Sequence, residues 1–181
     1  MRIIGGKYRG KKLISPDTSL VRPTSDRARE ALFNIIRSRL GSDLSSLSLM
    51  DVFAGSGAFG LEALSQGFGE ILLIDVDTRP LQKNVALFPQ EKDKIKVLTA
   101  DARKLGNAPK QYDVLFMDAP YLKGLSEAAL LQLSGKRWLK ADALCLIEVE
   151  KSEECCLPES FALLEERRYG LAKVLIAKFV A

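Results

Sequence analysis

From residue 47 to residue 180, short apolar runs of strand length alternate with segments of helical periodicity, and this alternation leaves few folds open. Strands are expected at 47–53, 71–76, 95–99, 112–117, 143–149, 161–166 and 173–180, with helices at 59–66, 79–88, 125–133 and, briefly, around Ala102. Runs this apolar need cover on both faces. The pattern therefore predicts an α/β fold with a seven-stranded, mostly parallel sheet and helices on either side. Only a short turn at Tyr169 and Gly170 separates the last two strands, which makes them an antiparallel pair.

The first forty residues differ in character. RIIGGKYRGKKLISP breaks its apolar pieces with Gly5, Gly6 and Gly10, as one or two small strands of a hairpin would. After Pro23 the period changes: Thr24 or Ser25 can cap a helix, and Ala28, Leu32, Ile35, Ile36 and Leu40 share one face as far as Gly41. Arg27, Arg29, Arg37 and Arg39 lie off that stripe, free to face a partner. Residues 1–40 carry a local charge of +7 and the remainder −3, so the chain divides into a basic N-terminal extension (1–40) and a sheet domain (41–181). Such an extension suits a polyanion such as nucleic acid; a solvated basic surface is the plainer alternative.

Composition removes several chemistries. With no histidine in the chain, imidazole bases and histidine-bound metals are excluded, and no metal site is expected. Cys145, Cys155 and Cys156 form no Cys-x-x-Cys pair, and a reducing, cytoplasmic setting is expected. Basic residues follow Met1 at once and no run approaches the roughly 20 apolar residues of a membrane span, so no membrane partner is expected.

In a sheet of this kind ligands bind beyond the carboxyl ends of the strands. Four acids fall there: Asp51, Asp75, Asp101 and Asp118. Asp51 precedes the turn containing Gly55, Gly57 and Gly60, where missing side chains permit close ligand approach. A carboxylate there repels phosphate but suits water or an ammonium group. Asp75 follows Gly55 by 20 residues, a position for accepting from ribose hydroxyls, whereas Asp77 has a helix-cap explanation. Asp101 is placed to reach a purine edge. In Asp118-Ala119-Pro120-Tyr121, the carboxylate and the Ala119 carbonyl can both accept from an exocyclic amine, aiming its lone pair at an electrophilic methyl. Pro120 stiffens this turn and Tyr121 is placed to stack on a base.

These residues resemble the S-adenosylmethionine-dependent methyltransferases, and more narrowly the RsmD-like family that methylates the guanine N2 amine in bacterial small-subunit ribosomal RNA. MRIIGGKYRGKKL, VRPTSDRAREALFNII, DVFAGSGAFGLEALSQG and DAPY carry the likeness, in order and across nearly all of the chain. The resemblance implies a Rossmann-like methyltransferase sheet, S-adenosyl-L-methionine as cofactor, and 16S ribosomal RNA as substrate, in an assembling or assembled small subunit, for a monomeric enzyme. It further implies that Asp51, Gly55 and Gly57 line the methionine side, that Asp75 holds the ribose and that Asp101 with Ala102 meets the adenine. Asp118, Ala119, Pro120 and Tyr121 take the catalytic tetrapeptide's place around the target amine. Its second residue is Ala119 where the family usually has proline, which keeps the carbonyl and loses some stiffness. Arg22, Thr24, Arg27 and Arg29 resemble the family's basic entrance, and Arg9, Lys11 and Lys12 its substrate-side loop. The rivals are a DNA or other RNA amino-methyltransferase, a nicotinamide dehydrogenase supported by the glycine spacing and Asp75, and a noncatalytic RNA-binding protein.

Overall fold

The computed structural model describes residues 1–15, 25–120, 124–153 and 155–180. The strands are β1 Ser48–Val52, β2 Glu70–Asp75, β3 Ile95–Thr99, β4 Tyr112–Asp118, β5 Leu139–Glu150, β6 Phe161–Tyr169 and β7 Ala172–Phe179. The α-helices are α1 Asp26–Leu40, α2 Ala58–Ser65, α3 Arg79–Val85 and α4 Leu125–Gly135. All seven strands form one sheet in the order β3-β2-β1-β4-β5-β7-β6. The first five are parallel; β7 runs antiparallel to both β5 and β6. The expected terminal pair forms, but β7 inserts between β5 and β6, an order that alternation alone did not specify.

Each face of the sheet has its own core. Leu49, Phe116 and Leu146 pack with α1 and α2 on one face; Met50, Leu115 and Ile147 pack on the other with Ala129, Leu130 and Leu133 of α4. The basic front segment belongs to the first core, since Ile3, Leu13, Leu32, Phe33 and Ile36 are buried in it. Residue 40 thus marks a boundary of charge and not of packing. Helix α1 starts on Ser25, whose hydroxyl accepts from the Ala28 amide at 3.2 Å, and ends at Gly41 with φ of 92°.

The opening hairpin departs from expectation. It contains a single bridge, Arg2 to Lys12, and a 3-10 turn at Gly6–Tyr8. The carboxylate of Glu62 on α2 takes the amides of Ile4 and Gly5 at 2.7 and 2.8 Å, so those donors are lost to any strand ladder. Among the described residues, no helix is long and apolar enough to cross a membrane.

Candidate active site

The strand order reverses between β1 and β4, and such a switch point opens a crevice at the carboxyl ends of the strands. Pairing aligns Asp51 with Phe116 and Asp118 with Glu148. Side chains alternate along a strand, so Asp51, Asp118 and Glu148 share the face covered by α1 and α2. The ring of Phe59 stacks on Phe116 at 3.5 Å, an aromatic layer one step below Asp118.

The turn after β1 is built for close approach. Gly55 and Gly57 have φ of 55° and 76°, and a Cβ on Gly55 would meet nothing within 4 Å, which leaves open space over the turn. Gly60 serves packing instead: a Cβ there would lie 2.2 Å from the Leu73 side chain. Phe53, absent from the expected site, holds φ of 63° immediately before this turn. A bulky residue in that region is strained, and such strain concentrates at binding sites.

The acids differ in how they are held. Asp51 is 2% exposed and accepts from the Gly60 amide at 2.9 Å. Burial pushes its carboxyl up to about 7, with Asp75 adding to the rise and the Gly60 bond opposing it. Asp75 accepts from the amides of Gly55 at 2.8 Å and Asp77 at 3.0 Å, which locks the end of β2 to the glycine turn. Asp118 ends β4; burial, then Glu148, then Asp51 hold its carboxyl well above the usual carboxylate range. Ala119 beside it is buried, Pro120 is exposed, and Tyr121 lies outside the described residues. Glu148, 3% exposed, was missed by the sequence reading. Its signal was an acid interrupting the apolar run of β5, LKADALCLIEVE.

Asp101 was expected at a purine edge. It accepts from Arg103 through the amide at 2.9 Å, Nε at 2.9 Å and Nη2 at 2.7 Å, and this guanidinium pulls its carboxyl down to about 2. Ala102 is buried at the start of the short 3-10 turn Ala102–Lys104. Asp77 makes the same clip with Arg79, at 3.1, 2.8 and 2.7 Å, and Thr78 occupies the cap position of α3. Identical Asp-x-Arg clips thus close the ends of neighbouring strands β2 and β3.

The basic residues do not gather at the crevice. Arg29 was expected to face a partner and is instead 2% exposed, donating to the Arg2 carbonyl at 2.8 Å and to Asp26 at 3.1 Å. It occupies the turn of α1 that meets α2, so its charge is spent inside the protein. Arg22 and Thr24 lie outside the described residues. Arg9 is exposed, as is Lys12, while Lys11 covers the Phe88 ring at 4.8 Å. The tip of their loop is fastened far from Asp118: the Tyr8 amide donates to Ser65 Oγ at 2.9 Å and its hydroxyl to Glu91 at 2.8 Å. Both anchors lie toward the amino ends of the strands, just before β2 and β3.

The sequence profile of the family described as Conserved hypothetical protein 95 matches residues 1–178. The chain is 35% identical over 175 residues to Ribosomal RNA small subunit methyltransferase D of Escherichia coli strain K12, covering 94% of this chain and 85% of that protein. The solved structure of Escherichia coli yhhF superposes with a TM-score of 0.83 at 32% identity, covering 100% of this chain and 98% of the other. The Thermus thermophilus 16S rRNA N2 G1207 methyltransferase, solved with AdoMet and guanosine, shares the fold with a TM-score of 0.65 at 16% identity, over 90% of this chain and 44% of that one.

Proposed function

The chain belongs to the family described as Conserved hypothetical protein 95, and we propose that it methylates the exocyclic N2 amine of a guanine in 16S ribosomal RNA, using S-adenosylmethionine. The carrying observation is the placement of Asp118 and Ala119 at the end of β4, across the switch point from the open glycine turn.

The crevice fits this cofactor. Open space over Gly55 admits the methionine part, buried Asp51 suits its cationic groups, and Asp75 keeps lone pairs for ribose hydroxyls beyond the two amides it already accepts. Asp101 and Ala102 border the adenine end, where Arg103 fixes the Asp101 carboxylate. A dinucleotide fits poorly, because Asp51 would oppose a pyrophosphate.

The bound cofactor supplies an electrophilic methyl on a sulfonium. The Asp118 carboxylate and the Ala119 carbonyl accept the N2 hydrogens and turn the nitrogen lone pair toward that methyl. Transfer would form the N2–carbon bond at the expense of the methyl's bond to sulfur, and Asp118 or water would take the N2 proton. Positioning supplies most of the acceleration. A base inside a folded RNA must be exposed or flipped to reach this depth. The protein acts as a cytoplasmic monomer on RNA of the assembling or assembled small subunit.

Transfer of labelled methyl to protein-depleted small subunits, naked ribosomal RNA and DNA, followed by nucleoside analysis, tests this reading. N2-methylguanosine is the expected product. Asp118→Ala is expected to cut turnover by about a thousandfold or more while leaving cofactor affinity within a few-fold. Full activity in that variant would sink the assignment.

A further inference from the structure

Outside the crevice, a groove of about 680 Å³ runs between the opening loop and α1, and its charged lining is Arg2, Arg9, Arg27 and Arg37 with Asp26 and Glu30. Cations are in excess. Asp26 is already engaged by Arg2 Nε and by Arg29 Nη2, each at 3.1 Å. Arg37 donates to the Gln66 side-chain carbonyl and pairs with no carboxylate among the described residues. Arg9 and Arg27 are exposed, and neither pairs with a carboxylate among the described residues.

The groove has direction. Arg27, Glu30, Asn34 and Arg37 are spaced by three or four along α1, so they form one row about 15 Å long. At one end Arg2 meets the first residue of α1, and its chain neighbour Met1, itself outside the lining, places Sδ 3.8 Å from Ser56 Oγ in the glycine turn. The other end reaches Gln66, where α2 stops near the amino ends of the strands.

We infer that this groove seats the sugar–phosphate backbone of the substrate RNA adjoining the target nucleotide, which rests on the ribosomal RNA reading above. Guanidinium groups present forked donors that match phosphate oxygens, and a row with one end a residue away from a contact with the glycine turn lets a strand whose base enters the site continue over α1. Arg2 and Arg37 thereby join the contact surface with Arg9 and Arg27. Lys11 and Lys12 lie outside the groove lining.

The test uses the full-length protein carrying Arg9→Ala with Arg27→Ala, both exposed and remote from the buried cores. Methyl transfer by the wild type to protein-depleted small subunits or to protein-free ribosomal RNA reports on the reading itself, and the variants are compared on the acceptor that the wild type methylates. For the double variant, RNA affinity is expected to weaken on the order of tenfold, and the log–log salt slope to shrink by about 1.5. KM for RNA rises, kcat at saturating RNA holds, and S-adenosylmethionine affinity is unchanged. Arg9→Lys with Arg27→Lys recovers most of the lost affinity. An unchanged slope and KM in the double variant, beside a wild type that methylates RNA, overturns the groove and leaves the reading intact. A defect confined to assembled subunits, with normal binding of protein-free RNA, also overturns it and assigns the groove to a ribosomal protein.

Discussion

Glu62 and Asp51 are equally hidden, at 1% and 2% exposure, yet one fastens the chain and the other belongs to the crevice. Glu62 accepts from the Ile4 and Gly5 amides at 2.7 and 2.8 Å and from Gln66 Nε2 at 2.8 Å, with Arg29 Nε 3.8 Å away. Asp51 has one amide, from Gly60, and its charged neighbours include Asp75 and Asp118. A buried charge surrounded by donors holds structure together. One surrounded by other acids costs stability until a cation arrives, which is the usual mark of a binding site.

The largest effect tests the fastened side. Glu62→Ala removes the buried carboxylate beside Arg29 and leaves it Asp26 and the Arg2 carbonyl; its Nε is already the buried side-chain atom without a hydrogen bond among the described residues. A loss of about 3–5 kcal/mol in urea unfolding is expected. Adding Arg29→Met recovers the part due to the under-compensated buried charge and not the part due to the released opening loop. A loss below about 1 kcal/mol in the single variant breaks the contrast.

On the crevice side the sign reverses. The native state holds the Asp51 proton up to about 7, above the ordinary 3.8, so its contribution is most favourable below the unfolded value. It is lost as pH rises between those two values, where the unfolded chain ionises first. Asp51→Asn is expected to stabilise the protein by up to about 4 kcal/mol at pH 8 and by little at pH 4, while weakening cofactor binding. Unfolding curves at both pH values and a cofactor titration check this. Equal destabilisation at both would show that Asp51 is a structural acid.

The smallest effect sharpens the contrast at the surface. Arg39 meets Glu165 at 2.8 Å, joining α1 to β6, with both side chains partly exposed. Arg39→Ala should cost no more than about 0.5 kcal/mol, measured by thermal unfolding in low and high salt.

Much of this was readable before any coordinates. Strand β3 falls where its apolar run predicted, and Asp51, Asp75 and Asp118 stand at strand ends because parallel strands bury nearly continuous apolar runs and leave polar residues to mark where they stop. Arg29 was misread because helical periodicity records which face is apolar. It does not record that a neighbouring helix brings Glu62 close enough to make an arginine worth burying. Glu148 was missed for a related reason: within its own strand it is a single interruption, and it gains meaning only from lying opposite Asp118.

The sequence by itself determined the α/β alternation, the glycine turn, the acids at strand ends and the excess of positive charge in the first forty residues, because each depends on spacing or composition within a short stretch. Tertiary structure alone decided that β7 lies inside β6, that the opening loop is pinned by a helix carboxylate, and that the arginines of two separate segments face one groove. Those outcomes depend on which elements meet across the sheet. Contacts between residues such as Arg9 and Arg27, or Ile4 and Glu62, are set by packing the whole chain and leave no periodic trace along it.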